Sequence, residues 1–402
     1  MCAGAFPVAA LAHPQRLPGK GRNTLSLAVV LVANAVMTVS QVNVASVYLP
    51  ISVTFDEQIV GLGVLTSLFY VGYGIIEIPG GVVGSRLGPK RLALVGLAIS
   101  VASITATGLA PSFDVLIALR FAAGLGLGLF FPCGVVLAVR NMGEGSSGLG
   151  AALVITSFAI GASLGVFGWS VLSADYGWRA SLVINGAITL ASALAFLFVV
   201  PADASDPGFR FTMEGFRRVI GNRKLQVVSL ALFGSGISGS LYGSFIVYYL
   251  EETFDSQPSI AGLIGGLGYI TLLFTAILGG RLFDRGGNPK VIIFGSTCAL
   301  AFGTALIGVH SVYAALAGAV ICGLSIGPIS TVALVIARRT APAPELETLV
   351  VSIGDNLSLA GVFVGALFFP LLVIALGYPY AWLIGGVVGV FLTVPVILIR
   401  EL

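Results

Sequence analysis

The sequence contains very little charge. Only 9% of its 402 residues are charged, whereas 57% are hydrophobic. Soluble domains contain about a quarter charged residues, so this composition excludes an ordinary globular protein. Apolar stretches such as 92–110 and 180–200 approach the ~20 residues that a helix needs to cross a bilayer. The composition therefore predicts a helical protein that crosses the lipid bilayer several times.

Residue types that bind metals or carry out catalysis are also scarce. His13 and His310 are the only histidines, and the four cysteines have no spacing typical of a metal site or a disulfide framework. No stretch resembles a nucleotide-binding loop, which argues against an ATP-driven pump. We expect no enzyme activity, no cofactor, no metal site and no nucleic-acid partner.

Apolar blocks separated by polar breaks predict twelve membrane-spanning helices. The predicted spans are 24–49, 60–84, 92–110, 115–139, 148–173, 180–200, 225–250, 259–283, 291–309, 312–337, 349–375 and 380–399. The fold class expected from them is an all-α polytopic membrane protein.

Lysine and arginine fall almost entirely on one side of this predicted topology. When successive loops are assigned to alternating sides, 18 of the 20 basic residues lie on one side. The other side receives Arg179 together with seven acidic residues. Because basic residues concentrate in cytoplasmic loops, we expect a multi-pass protein of the plasma membrane with both termini in the cytoplasm.

The two halves of the sequence resemble each other. The triplet TFD at 54–56 recurs at 253–255, an offset of 199 residues. The Gly-x-x-x-Gly pattern at 161–165 recurs at 361–365, an offset of 200 residues. Matches in the same order at a nearly constant offset indicate a duplicated unit of six spans. Parallel repeats of this kind are typical of carriers with a central site.

The duplication divides the chain into four regions. Residues 1–23 are expected to be a cytoplasmic tail, 24–200 the N-terminal six-helix bundle, 201–224 a cytoplasmic linker and 225–402 the C-terminal six-helix bundle. The linker has basic residues around an apolar stripe at helical spacing, which predicts a helix lying on the membrane surface. The stripe consists of Phe209, Met213, Phe216 and Ile220.

Two polar turns interrupt the apolar sequence at equivalent places, GGVVGSRLGPKR at 80–91 and GGRLFDRGGNPK at 279–290. They resemble the Gly-x-x-x-Asp-Arg-x-Gly-Arg/Lys motif of the major facilitator superfamily of secondary transporters. The second turn matches the motif at Gly280, Asp284, Arg285, Gly287 and Lys290. The first turn matches at Gly81, Arg86, Gly88, Lys90 and Arg91, but has Ser85 at the acidic position.

Further motifs of the same superfamily lie in the first half. RFAAGLGLG at 120–128 is similar to the arginine and spaced glycines of its fourth helix, and YGWR at 176–179 is common after its fifth. The resemblance covers essentially the whole chain and implies two six-helix bundles that alternate around a central site. EIPGG at 77–81 and GLGLGLFFP at 124–132 are similar to branches that move small anions with a proton or another cation. The antiporter motif of the fifth helix is incomplete, because Val166 stands at its proline position.

The turn at 279–290 is a candidate gating element. Asp284 can pair with Arg339, and an ion pair at a wet surface contributes about 1 kcal/mol or less. Such a small energy suits a contact that forms in one state of a carrier and breaks in the other. Ser85 leaves Arg140 without the matching carboxylate in the first half, so we expect an asymmetric gate. The alternative is that both turns only orient the chain in the membrane.

Three ionisable residues fall clearly inside predicted spans, where a charge costs at least ~2.5 kcal/mol. Glu77 and Asp355 are candidate proton-coupling groups. Glu77 can instead be a neutral carboxyl that bonds a neighbouring helix, and Asp355 can be the partner of a loop arginine. Arg120 stays charged and offers five donors, which suits capture of a carboxylate or oxyanion. For Arg120 the resemblance implies competing roles, bracing of the backbone or a proton relay.

Neutral polar residues form stripes on two spans. Asn34, Thr38 and Gln41 share one face of the first span, and Tyr242 belongs to a similar face of the seventh. The resemblance implies that helices one, four, seven and ten line the cavity, so these four residues and Arg120 are candidate substrate-binding residues. The alternative is that the polar groups mediate helix packing in lipid.

These observations predict a monomeric secondary transporter that moves a small anionic solute by proton-coupled uptake, that is, by symport. The rival transport hypothesis is efflux of amphipathic compounds by proton antiport, with Arg120 as a helix brace and aromatic side chains around the cavity. A membrane sensor of the same fold that transports nothing is the third hypothesis.

Overall fold

The computed structural model describes residues 23–142, 147–201, 213–339 and 347–399. The helices of the first half are α1 (Thr24–Val42), α2 (Tyr48–Phe55), α3 (Ile59–Leu87), α4 (Pro89–Gly108), α5 (Phe113–Met142), α6 (Ser147–Tyr176) and α7 (Trp178–Val199). The short helix α8 (Met213–Ile220) follows. The helices of the second half are α9 (Arg223–Phe254), α10 (Pro258–Asp284), α11 (Pro289–Ile307), α12 (Val312–Arg339), α13 (Glu347–Leu376) and α14 (Tyr378–Leu398).

Twelve helices in these residues, all except α2 and α8, are long and apolar enough to cross a membrane. Their number and order are those expected from the sequence, and this confirms the all-α polytopic fold class. Apart from the end of the first span, the observed helix ends lie within four residues of the predicted ends.

The first predicted span is interrupted, so the expectation of a continuous helix over 24–49 was wrong. Helix α1 ends at Val42, a 3₁₀ turn covers Ala45–Val47, and α2 begins at Tyr48. Proline in a helix interior removes a hydrogen bond and clashes with the preceding turn, whereas the first turn of a helix tolerates it. The break places Pro50 in the first turn of α2, which avoids this cost.

The turns of the two halves repeat the same backbone conformation. Within the described residues, a positive φ occurs at Asp56, Gly88 and Gly177 in the first half and at Asp255, Gly286 and Gly377 in the second. Residues other than glycine rarely adopt this conformation, yet Asp56 has a φ of 54° and Asp255 a φ of 50°. The backbone therefore supports the duplication inferred from the two TFD triplets.

The lysines of the two polar turns bind helix ends. Lys90 Nζ donates to the main-chain oxygen of Leu197 at 2.8 Å, near the end of α7. Lys290 Nζ donates in the same way to Ile399, directly after α14. The last carbonyls of a helix have no partner within it and carry partial negative charge, so a cation there is favourable. In each half the lysine thus fastens the last helix to the polar turn.

Glycine allows helices within each half to pack at very short distance. A Cβ added to Gly161 on α6 would lie 2.3 Å from the main-chain oxygen of Ala35 on α1. At the repeat-matched position, a Cβ on Gly361 of α13 would lie 2.1 Å from the oxygen of Phe233 on α9. Small residues let helix backbones approach closely in membrane proteins, where packing drives association.

The linker contains the short helix α8. Of its predicted apolar stripe, Met213 and Ile220 are exposed. Val219, which was outside that stripe, is buried against the second half. The tail at 1–22, the stretch 202–212 with Phe209, and the side chain of Phe216 lie outside the described residues, so the interfacial position of the linker stays a prediction.

The two halves share an apolar core at one end of the molecule. We call the end that carries Asp56, Asp175 and Asp255 the acidic end, and the end that carries Lys90 and Arg285 the basic end. One cluster of buried residues at the acidic end joins both halves. In each of two further clusters, all the buried residues come from a single half. The halves are therefore packed together most extensively towards the acidic end.

Candidate functional site between the two halves

Helices α3 and α13 form one of the two lateral contacts between the halves. A Cβ on Gly63 of α3 would lie 2.5 Å from the main-chain oxygen of Ala366 on α13. One turn further along α3, the Ser67 hydroxyl donates to the oxygen of Phe363 at 3.1 Å. Helices α3 and α13 are thus packed closely near the acidic end. Further along the same two helices, towards the basic end, their polar side chains lie opposite each other.

Glu77 and Asp355 meet at this interface. Glu77 on α3 is only 6% exposed, and its side chain is hydrogen-bonded to that of Asp355 on α13. The neighbouring Asn356 donates from Nδ2 to Oε2 of Glu77 at 2.8 Å. The sequence marked Glu77 and Asp355 as separate candidates 278 residues apart. The structure joins them in one pair that bridges the two halves.

Two neighbouring carboxyl groups inside a membrane are a typical place for a proton to bind. Two ionised carboxylates in contact repel each other strongly, so neighbouring carboxyl groups favour a state in which one proton is shared. Tyr73, one turn before Glu77, is the ionisable side chain on α3 that interacts with both acids. The pair is thus a candidate proton-coupling group whose two members come from different halves of the chain.

A cavity of about 310 Å³ lies beside Asn356, the residue that donates to Glu77. Asn356 lines it, together with Tyr70, whose hydroxyl accepts a hydrogen bond from Nε2 of Gln41 at 3.1 Å. The rest of the wall is apolar and consists of Val71, Gly74, Ile75, Leu359, Ala360 and Phe363. The cavity therefore adjoins the amide that contacts Glu77, and it can hold a small molecule with an apolar part.

Arg120 lies at the end of α1 that the helix break creates. Its Nη1 donates to the oxygen of Ser40 at 3.0 Å and its Nη2 to that of Gln41 at 3.1 Å. The guanidinium carbon lies 4.3 Å from the centre of the Phe69 ring, and Nε has no partner. Both oxygens belong to the last turn of α1, whose carbonyls lack partners within the helix. In this conformation Arg120 braces the backbone, and the anion-binding role stays a prediction.

The other predicted substrate-binding residues are mostly used for packing in this conformation. Asn34 donates to the Ser157 hydroxyl at 2.8 Å and to the oxygen of Val154 at 3.3 Å, both on α6. The Thr38 hydroxyl donates to the oxygen of Asn34. Asn34 and Thr38 are buried, whereas Gln41 is half-buried.

Tyr242 is buried inside the second half, where its hydroxyl donates to the main-chain oxygen of Gly265 on α10. Its ring lies 5.8 Å from that of Tyr269. Tyr242 and Asn34 therefore each contact a helix of their own half, and the structure does not bring them together. Their role in substrate binding remains a prediction.

The predicted gating residues occupy the basic end. Gly81 and Gly280 lie in the last turns of α3 and α10, and Gly88 ends α3 with a φ of 93°. Asp284, Arg285 and Gly287 form the second turn, in which Asp284 and Arg285 are exposed. Arg140 has an interaction partner. The side chains of Ser85, Arg86 and Arg339 lie outside the described part of the structure, so the Asp284–Arg339 contact stays a prediction.

A contact at the acidic end was missed by the sequence reasoning. The rings of Tyr48 on α2 and Phe245 on α9 lie 6.0 Å apart, and Phe245 is 4.9 Å from Phe369 on α13. These contacts close the space between the halves at this end. The cluster of aromatic residues around 245–249 was a signal that could have indicated it.

Comparison with known proteins identifies the family. A sequence profile of the Major Facilitator Superfamily matches residues 25–225 and 228–401. A bacterial homologue of the lysosomal transporter Spinster, solved in an inward-facing, unoccupied conformation, is 16% identical and superposes with a TM-score of 0.75 over 93% of this chain and 95% of its own. The nucleoside transporter NupG is 13% identical with a TM-score of 0.79, over 94% of this chain and 100% of its own.

Curated relatives are similar over part of their length. A probable sulfoacetate transporter, SauU, of Cupriavidus necator is 24% identical over 57% of this chain and 58% of its own. The 4-hydroxybenzoate transporter PcaK of Pseudomonas putida is 30% identical over 36% of this chain and 32% of its own. The methylenomycin A resistance protein of Streptomyces coelicolor is 26% identical over 48% and 42%. The chain thus matches between 32% and 58% of the length of these relatives. It belongs to the Major Facilitator Superfamily, a family of membrane transporters and not of enzymes.

Proposed function

We propose that this protein takes up a small organic anion together with a proton. The observation that carries the proposal is the Glu77–Asp355 pair, in which two halves of the chain share one proton-binding group. Proton-driven carriers place ionisable groups inside the membrane where protonation can bias their states. A pair divided between the halves does this directly, because its geometry changes when the halves move.

The transport cycle follows from the way the halves are packed. With the basic end in the cytoplasm of a plasma membrane, the contacts around Tyr48 and Phe245 close the outer side. Rocking of the halves then opens the outer side and closes the inner one around the site between them. At the basic end, pairing of Asp284 with Arg339 would stabilise the inward-closed state by about 1 kcal/mol or less.

The relatives support an anionic substrate. Two of them are named as carriers of sulfoacetate and of 4-hydroxybenzoate, which are small acids. Arg120 is our candidate for binding the anion. Among the described residues, its contacts are two main-chain oxygens and a ring. None of these is a carboxylate, so no ion pair among these contacts neutralises its positive charge. Release of Ser40 and Gln41 when α1 moves would free the guanidinium for the substrate. Because the proposed site lies between the two halves of one chain, we expect the monomer to be functional.

Proteoliposomes test this proposal. Radiolabelled sulfoacetate and 4-hydroxybenzoate are offered with an inward proton gradient and again after the gradient is collapsed. We expect accumulation only with the gradient, and we expect Glu77→Gln and Asp355→Asn to lose accumulation while they still exchange labelled for unlabelled substrate. Ser67→Ala is the matched control, because it removes a hydrogen bond at the same interface without changing a carboxyl. The proposal fails if both carboxyl variants still accumulate substrate.

Efflux of amphipathic compounds is the second candidate. The methylenomycin A resistance relative and the mainly apolar wall of the cavity beside Asn356 favour it. Inverted membrane vesicles with an acidified interior test this candidate. Uptake of hydrophobic cationic dyes, without transport of either anion, would establish efflux in place of uptake.

A further inference from the structure

Asn356 contributes a single donor to the carboxyl pair in a fixed orientation. Its Nδ2 donates to Oε2 of Glu77 at 2.8 Å and to the main-chain oxygen of Ser352, one turn earlier on α13, at 3.2 Å. Both hydrogens of the amide are therefore used, and the bond to Ser352 holds the amide with its nitrogen towards Glu77. A Cβ on Gly74 would lie 3.3 Å from the amide oxygen, so α3 also limits how the amide can turn.

The two neighbours of Glu77 act on its proton in opposite directions. A carboxylate at hydrogen-bonding distance, such as Asp355, favours the neutral form of Glu77 because two like charges repel. An N–H donor, such as the amide of Asn356, favours the charged form. The amide donates to Oε2, and the carboxyl group of Asp355 is the second polar neighbour of Glu77 on α13. Both neighbours lie on α13, so Glu77 loses both effects whenever α3 and α13 separate.

We propose that Asn356 is a positioning residue that offsets the repulsion within the Glu77–Asp355 pair and lets the pair release its proton while the halves are still in contact. This inference deepens the proposed function and rests on it. The amide of Asn356 then couples proton binding by the pair to the contact between the halves. Such coupling is reciprocal, so protonation changes the stability of the contact as much as the contact changes the affinity for the proton. Besides the pair, Tyr73 of α3 is the ionisable group that faces both acids. Among the described residues, the electrostatic partners of Glu77 and Asp355 are each other and Tyr73.

The protonated carboxyl can be followed by its infrared stretching band in the purified full-length protein, without substrate. The band is assigned to the pair if it disappears in the Glu77→Gln variant. We expect Asn356→Ala to move the pH midpoint of this band upwards by about one unit, because a hydrogen bond to a charged group contributes about 1.5 kcal/mol or more. Asn356→Gln, which keeps the amide, should return the midpoint towards that of the unmodified protein.

Ser67→Ala serves as the control for the loss of a hydrogen bond between the halves, and we expect it to leave the midpoint unchanged. The inference is overturned if Asn356→Ala and Ser67→Ala titrate alike, or if no band depends on Glu77. Should Asn356→Ala fail to fold, Asn356→Ser is measured in its place. This titration needs no substrate, so it separates the two proposals. If the protein transports neither anion but Asn356→Ala still shifts the pH midpoint, the proposed function is contradicted and this inference stands.

Discussion

At the scale of single residues, Arg120 and the break after Val42 are two parts of one arrangement. A helix that ends inside the membrane leaves main-chain oxygens without partners, and a buried polar group without a partner is costly. The guanidinium of Arg120 supplies donors to two of these oxygens. The guanidinium, which is unfavourable in lipid, and the unpaired oxygens at the end of α1 thus satisfy each other.

Arg120→Ala separates the two hypotheses for this residue. We expect it to lower the free energy of unfolding by about 2–4 kcal/mol, because two buried oxygens of α1 lose charged donors. Arg120→Lys, which keeps the charge but not the planar donors, should recover part of this loss. Thermal unfolding of the purified protein, with and without the transported anion, measures both effects. A variant of unchanged stability that no longer binds the anion would show that Arg120 contacts substrate and does not brace α1.

At the scale of helices, the contact between α6 and α1 depends on a residue without a side chain. Gly161 lies against the backbone of Ala35, and Gly361 lies in the same way against Phe233 in the second half. Backbone atoms cannot move aside as a flexible side chain can, so any larger residue must separate the helices.

Gly161→Ala is therefore expected to destabilise the protein by about 1–3 kcal/mol through overpacking. Gly168→Ala on the same helix is the matched control, since its added Cβ meets no atom within 4 Å. This control should be neutral or stabilising by about 0.5–1 kcal/mol, because alanine is the better helix former. Denaturation midpoints of the two variants in one detergent make the comparison. Equal stability of both would contradict the packing argument, and Gly361→Ala repeats the test in the second half.

At the scale of the whole molecule, the halves meet along α3–α13 and along α6–α10, and their shared core lies at the acidic end. Alternating access requires that these contacts rearrange during each cycle. A covalent link across one of them should therefore stop transport without unfolding either half.

The pair Phe167→Cys and Gly266→Cys provides this link. A Cβ on Gly266 would lie 3.3 Å from Cβ of Phe167, so a small separation of the two helices brings the distance into the range of about 3.5–4.5 Å found in disulfides. In a background without the four natural cysteines, we expect oxidation to cross-link α6 with α10 and to abolish uptake, and reduction to restore it. Each single-cysteine variant should be insensitive to the oxidant. Full uptake in the cross-linked protein would show that this interface stays fixed while the protein works.

The sequence by itself determined the twelve spans, the duplicated turns and the superfamily, because hydropathy and turn chemistry depend on neighbouring residues. It also marked Glu77, Arg120 and Asp355 as exceptional, since any ionisable group in an apolar span is costly. Only the tertiary structure decided which partners satisfy them. Glu77 meets Asp355 and Asn356 across 278 and 279 residues, and Arg120 meets the end of α1. Such pairings depend on how helices rotate and approach one another, which local sequence patterns do not specify.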